Sequence, residues 1–129
     1  MAIDLNDKTA NGNNLTNNNT ATEVVGLSEV SSTAVDFESG SSQFLSAADS
    51  ASLSITGNMT IEAIVKFESF SSNTMTFVSK YHTATGQGSY VFFYDGVANV
   101  LYLGLSNNGT GVDFASVSWT PTLGTSYHV

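Results

Sequence analysis

The feature that most constrains this fold is a series of short apolar runs separated by glycine, serine and asparagine. No window shows the sustained apolar spacing of an amphipathic helix. Short strands that recur about every 8–12 residues, with turn signals between them, are typical of an all-β sandwich or barrel. The sequence therefore predicts strands over 22–26, 32–38, 42–47, 58–67, 74–81, 88–95, 99–106, 112–119 and 126–129.

The first 21 residues differ in composition from the rest of the chain. A short strand is predicted near Ile3–Leu5, and residues 6–20 are mostly Asn, Thr and Gly. Asn and Gly tolerate left-handed backbone angles, and Asn side chains close local turns. Residues 6–20 are therefore predicted to form a surface loop, with a disordered tail as the alternative. Residues 22–129 are predicted to form one β-domain.

Charge and cysteine content exclude several classes of function. The formal net charge is −8, and the only basic residues are Lys8, Lys66 and Lys80. Nucleic acids and anionic membrane surfaces bind through clustered lysine and arginine, so neither partner is expected. A divalent cation or a neutral polar ligand fits the charge better. The absence of cysteine excludes disulfides, zinc–thiolate sites and thiol catalysis.

No apolar run approaches the roughly 20 residues of a membrane span, so membrane insertion is not expected. Met1–Thr9 lack the apolar core of a signal peptide, and any export signal is expected to lie outside this chain.

Glu62 and Glu68 are the first candidates for acid–base chemistry, because alternation puts both on the polar face of the predicted strand 58–67. They are separated by about 20 Å of extended chain. The carboxyl groups of a glycosidase stand about 5–10 Å apart, so this pair is not expected to act on one bond. A solvated face with Lys66 as a charge partner is the leading interpretation, and a place for Glu62 on a ligand-binding face is the alternative.

Several stretches, taken in order, are similar to one family. They are AVDFESG (34–40), DSASL (49–53), MTIEAIVKF (59–67), FVSKY (77–81), YVFFYDGVANVLYLGLS (90–106) and GTSYHV (124–129). Together they resemble the laminin-G/pentraxin-like modules of the concanavalin A-like lectin and glucanase superfamily. The resemblance implies an all-β, two-sheet antiparallel jelly-roll sandwich over 22–129. Ile64 stands where the family has tryptophan, and Glu38-Ser39 where it has Asp-Gly.

The family pattern continues with further strands after the segment that matches 124–129. The resemblance therefore implies an incomplete sandwich, with the C-terminal strands missing after Val129. Missing strands leave open sheet edges, so a chain that folds alone is expected to be marginally stable or to self-associate through those edges.

The superfamily includes glucanases, but this sequence lacks their E-x-D-x-x-E strand motif. His82 is predicted in the loop 81–88, and His128 is predicted to pack within the last strand. We therefore expect no enzymatic activity. The leading prediction is a non-catalytic module of a larger extracellular, cell-surface or virion-fibre protein that binds a glycan or cell-surface polysaccharide. A structural or protein-contact module without a sugar ligand is the second alternative, and a glucanase-type hydrolase is the third.

The candidate ligand-binding residues are Tyr90, Tyr94, Tyr102 and Glu62. Aromatic faces can stack on the apolar faces of sugars. Alternation puts Tyr90 and Tyr94 on one face of their strand. The three leucines of 99–106 are predicted as core, which turns Tyr102 outward, beside Tyr90 or Tyr94. The alternative is that these tyrosines cover a sheet face and bind nothing.

The resemblance also implies calcium as a possible cofactor, because many relatives hold it at one rim of the sandwich. Calcium takes six to eight oxygen ligands. Asp95 and Asn99, in the predicted turn 94–99, are the expected metal ligands, and an ordinary turn is the alternative.

Overall fold

The computed structural model describes residues 3–28, 31–70, 74–82 and 86–129. Within these residues the strands are β1 (Thr16–Asn18), β2 (Thr22–Ser28), β3 (Ser31–Asp36), β4 (Phe44–Ser46), β5 (Ile64–Lys66), β6 (Met75–Lys80), β7 (Tyr90–Asp95), β8 (Val100–Leu105), β9 (Asp113–Ser118) and β10 (Ser126–His128). Single turns of 3-10 helix occur at Ser39–Ser41 and Ala51–Leu53. Every strand pairing is antiparallel, which confirms the predicted all-β class. The jelly-roll connectivity stays a prediction.

The chain divides into two compact units, Met1–Leu53 and Ser54–Val129. In the first unit β1 pairs with β4, and β2 pairs with β3. No strand forms at residues 3–5; the carbonyl of Leu5 instead accepts a hydrogen bond from the Leu15 N–H at 2.8 Å.

The Asn-rich stretch 6–20 is a loop held by its own side chains up to β1, and the prediction of a loop over all of 6–20 is wrong at that strand. The Asp7 carboxylate accepts hydrogen bonds from the Thr9 N–H and from the Asn13 N–H. The Asn17 amide exchanges hydrogen bonds with both backbone groups of Ala21. These local bonds are those that Asx-type turns provide, and they fit the surface-loop interpretation of the residues before β1.

In the second unit, β6, β7, β8 and β9 form a four-stranded sheet in that order, and β5 pairs with β10. We call the sheet face that carries Tyr94 the inner face. Tyr94 is fully buried there. The Phe67 ring, which follows β5, packs 5.3 Å from the Tyr94 ring, and the Trp119 ring lies 5.1 Å from Tyr127 of β10. Phe67, next to β5, and Tyr127 of β10 therefore pack on the aromatic residues of the inner face, and aromatic side chains bury more apolar area than any others.

The strand predicted over 58–67 is shorter than expected. β5 pairs with β10 over Ile64–Lys66, and Ala63 exchanges backbone hydrogen bonds with Val129 at 2.9 Å in both directions. Residues 58–62 have an alternating sequence but no strand partner among the described residues, and alternation without a partner does not make a strand. Of the loop predicted around His82, residues 83–85 lie outside the described residues.

Among the residues that the structure describes, no helix has the length and apolar character needed to cross a membrane.

Candidate functional site

The register of the four-stranded sheet divides its side chains between two faces. Phe93 lies opposite Tyr102, and Tyr94 lies opposite Leu101. Because directly opposed residues of an antiparallel pair share a face, Tyr102 is on the face that Phe93 occupies and not on the inner face. We call this second face the outer face.

Three aromatic rings cross the outer face from β7 to β9, and we call Phe93, Tyr102 and Phe114 the aromatic row. The Phe93 and Tyr102 rings are stacked, with centroids 4.9 Å apart and an interplanar angle of 18°. Phe114 meets Tyr102 edge-on at 5.9 Å. Phe93 and Tyr102 are half-buried, and Phe114 is 52% exposed. The rings of the row therefore support one another and still present aromatic surface to solvent.

Gly104 makes room for the end of the aromatic row. It lies directly opposite Phe114 on β9 and Val91 on β7. A Cβ atom at Gly104 would stand 2.6 Å from Phe114 Cε1 and 2.9 Å from Val91 Cγ1. Such distances are too short for real contacts, so the ring of Phe114 occupies the space that a side chain at position 104 would need.

Hydroxyl groups lie on both sides of the Phe93–Tyr102 pair on this face. Thr76 of β6 is opposite Phe93, and Ser116 of β9 is opposite Tyr102. Both residues are exposed. A surface with aromatic rings in the centre and hydroxyls at the margins can hold a ligand that has an apolar face and hydrogen-bonding edges.

Tyr90 and Tyr94 share a face, as alternation requires, but that face is the buried one. Tyr94 packs against Phe67 and Trp119. Its hydroxyl donates a hydrogen bond to Asn99 Oδ1 at 2.9 Å. Burial, with a contribution from the charge of Asp95, raises the pKa of Tyr94 above its ordinary value. The prediction that these two tyrosines offer an exposed sugar-binding surface is wrong, because they form the core of the second unit.

The prediction that Tyr102 lies beside Tyr90 or Tyr94 is wrong for the same reason. The inner face holds the leucines of β8 opposite β7, as the pairs Tyr94–Leu101, Phe92–Leu103 and Tyr90–Leu105. The leucines and the core tyrosines thus share one face, and Tyr102 points to the other. Leu101 and Leu103 are half-buried there, whereas Leu105 is 44% exposed, so the prediction that all three leucines are core is wrong for Leu105. Tyr102 is the predicted ligand-binding tyrosine that belongs to the aromatic row.

Glu62 lies outside the four-stranded sheet that carries the aromatic row, in the segment just before β5. Its Oε2 atom lies 3.1 Å from His128 Nε2, and both side chains are 65% exposed. His128 was expected to pack among apolar neighbours, and this is wrong: Ile64 lies opposite it on β5, but the His128 side chain is exposed. A pair so exposed contributes little to stability.

Asp95 and Asn99 form a hairpin turn between β7 and β8. Asp95 Oδ1 accepts hydrogen bonds from the N–H groups of Val97 and Ala98, at 2.9 and 2.8 Å. Asn99 adopts a left-handed backbone with φ of 56°. Asp95 Oδ1 is engaged in the bonds of an Asx-type turn, and Asn99 Oδ1 accepts the hydrogen bond from the Tyr94 hydroxyl. Two such oxygens fall well short of the six to eight of a calcium site. These contacts fit the ordinary turn, and calcium at this position stays a prediction.

Phe93 and Phe114 were not among the residues that the sequence singled out. The register that joins Phe93 to Tyr102 follows from the turn: once Asp95 is placed opposite Val100, each step back along β7 matches one step forward along β8. The turn signal in YDGVAN (94–99) therefore contained the information to find Phe93. The pairing of β9, which positions Phe114, has no comparable short turn.

A scan against protein-family models matched none, and searches of curated proteins and of solved structures found no significant match. The resemblance to laminin-G-like modules consequently stays a prediction from sequence patterns.

Proposed function

We propose that this chain is a non-catalytic recognition module that binds carbohydrate through the aromatic row. The observation that carries the proposal is the position of Phe93, Tyr102 and Phe114 on the outer face, where Phe114 is 52% exposed and the other two rings are half-buried, whereas Tyr94 on the inner face is fully buried. The rings are therefore available for a ligand. Sugars offer an apolar face to such rings and hydroxyls to Thr76 and Ser116.

The same proposal assigns the module to a larger extracellular, cell-surface or virion-fibre protein, with a glycan or cell-surface polysaccharide as its partner. The support is compositional: charged residues make up 11% of the chain, against about 25% in typical soluble domains. Asn, Ser, Thr and Gly fill the difference, which keeps a β-rich surface polar without charge.

A glycan array probed with the intact chain tests the proposal. Tyr102→Ala and Phe114→Ala are expected to weaken binding severalfold, up to about tenfold, since an aromatic contact contributes about 0.5–1.5 kcal/mol. Tyr102→Phe keeps the ring and is expected to retain most of the binding.

Tyr81→Ala is the matched control, because Tyr81 is also exposed but lies outside the aromatic row. Circular dichroism checks that each variant keeps the β-fold. The proposal is wrong if no glycan binds, or if Tyr81→Ala weakens binding as much as Tyr102→Ala does. A module with only a structural or protein-contact role would give the first of these results.

A further inference from the structure

The two edges of the four-stranded sheet differ in how they are protected. β6, at one edge, has a register irregularity between Thr76 and Val78 and ends in Lys80. A bulge and a lysine are common devices that stop an edge strand from pairing with another chain. β9, at the other edge, pairs with β8 in an unbroken register, and all of its residues are exposed.

The free backbone groups of β9 can be assigned from its pairing with β8. Trp119 N–H donates to the Asn99 carbonyl at 3.0 Å. Bonded residues alternate along an antiparallel strand, so Asp113, Ala115 and Val117 also direct their backbone groups to β8. The N–H and C=O groups of the alternate residues, Phe114, Ser116 and Ser118, therefore point to the edge of the sheet, where no other strand of the described residues pairs with β9.

We propose that β9 pairs antiparallel with β9 of a second copy of this chain, about a two-fold axis at Ser116. The three residues with free backbone groups are symmetric about Ser116. That axis puts Ser116 opposite its own copy and Phe114 opposite Ser118 of the other copy, so every free group of the strand gains a partner. No other centre within β9 satisfies all three.

The side chains of β9 fit the same axis. On the inner face, Ala115 lies opposite Val117 of the second copy, in the closer, non-hydrogen-bonded pair. Val117 is 59% exposed in the single chain, and this contact covers it. Asp113 is the only charged residue of β9. The two copies of Asp113 would be separated by about 20 Å along the strands, well beyond the screening length of about 8 Å at physiological salt.

A two-fold axis perpendicular to a sheet keeps each face on its own side. The two four-stranded sheets thus join into one, and both aromatic rows lie on the same outer face. The dimer would present two equivalent ligand surfaces in one plane, although the pairing itself does not depend on what the aromatic row binds.

Disulfide trapping tests the axis, since the chain has no cysteine of its own. In a hydrogen-bonded antiparallel pair the Cα atoms stand about 5.5 Å apart, within the range of about 4.4–6.8 Å that a disulfide bridges. Ser116→Cys is expected to form a covalent dimer under mild oxidation. Ser118→Cys is the matched control, because its two copies are offset by about 14 Å.

A second test introduces a charged side chain on the edge strand β9. Val117→Lys in the Ser116→Cys background brings two lysines near the axis and is expected to abolish the covalent dimer. Val97→Lys in the same background is the control, because Val97 is 71% exposed in the hairpin turn, away from β9. Equal cross-linking of the Ser116 and Ser118 cysteines, or no effect of Val117→Lys, would overturn the proposal.

Sedimentation gives an answer even if the cysteine variants do not fold. The unmodified chain is expected to show a concentration-dependent dimer that Val117→Lys dissociates and Val97→Lys preserves. A chain that sediments as a monomer at every concentration contradicts a second copy as the occupant of this edge.

Discussion

Gly104 is the residue on which the end of the aromatic row depends. A methyl group at this position would meet Phe114, Val112 and Val91, all within 3.0 Å. Overpacking of this kind destabilises by about 1–3 kcal/mol. Gly104→Ala is therefore expected to lower the urea midpoint of unfolding and to displace the Phe114 ring.

Gly57→Ala is the control for that variant, because a Cβ at Gly57 would meet no atom within 4 Å. If the two alanine variants unfolded at the same urea concentration, the tight packing around Gly104 would be disproved.

Asp4 reports on the order of the N-terminal loop. The Lys8 ammonium, followed by the backbone and side-chain N–H groups of Asn6, lowers the pKa of Asp4 from 3.8 to about 2. A carboxyl group whose pKa is lower in the folded state stabilises that state above its unfolded pKa, and the contribution is lost as pH falls toward the folded pKa. The loop is thus expected to loosen between about pH 4 and pH 2.

Carboxyl ¹³C shifts followed against pH would measure this, and Lys8→Met is the informative variant. It is expected to raise the pKa of Asp4 toward 3.8. The pKa of Asp7 is also lowered, but chiefly by the Thr9 hydroxyl and N–H. Asp7 should therefore keep its low pKa in Lys8→Met, and equal shifts of the two groups would contradict the assignment.

At the scale of the element, β9 should show two alternating classes of amide. In the isolated chain the N–H groups of Ala115 and Val117 are bonded to β8, whereas those of Phe114 and Ser116 point to the open edge. At low protein concentration, hydrogen exchange is expected to be slow for the first pair and fast for the second.

Raising the protein concentration extends this prediction to the paired state. Phe114 and Ser116 should then become protected, while Ala115 and Val117 change little. Uniform exchange along β9 at every concentration would mean that the strand frays as a unit, and the alternating pattern would be wrong.

The elements also show what the sequence could and could not predict. Short apolar runs predicted β6 to β9 to within a residue or two, because each run is bounded by turn residues. β5 was predicted too long. An alternating sequence shows where a strand is possible, but the strand forms only over the residues that find a partner strand. The inner and outer faces were confused because alternation divides a strand into two faces but does not say which face is buried. Phe92 and Phe93 are both apolar, so only the register and the cover from β5 and β10 settle the question.

At the scale of the whole molecule, the single tryptophan allows the unfolding of one unit to be followed separately from the other. Trp119 lies in the second unit, where its ring packs against Phe67, Tyr94 and Tyr127. Its fluorescence therefore follows the unfolding of Ser54–Val129, while far-ultraviolet circular dichroism follows the strands of both units. The two signals coincide in a two-state transition and separate if the units unfold independently.

Phe67 is the side chain expected to matter most to that tryptophan signal. It is 7% exposed, and its ring contacts four other rings of the second unit: Phe70, Phe77, Tyr94 and Trp119. Truncation of a buried phenylalanine costs about 3–5 kcal/mol, which is a large part of the stability of an ordinary domain. Phe67→Ala is therefore expected to shift the fluorescence transition to much lower urea or to abolish it.

Phe44→Ala is the control. Phe44 is at a half-exposed position of the first unit, so this variant should change the fluorescence midpoint far less. If the two variants shifted it equally, Phe67 would not be the centre of the aromatic core.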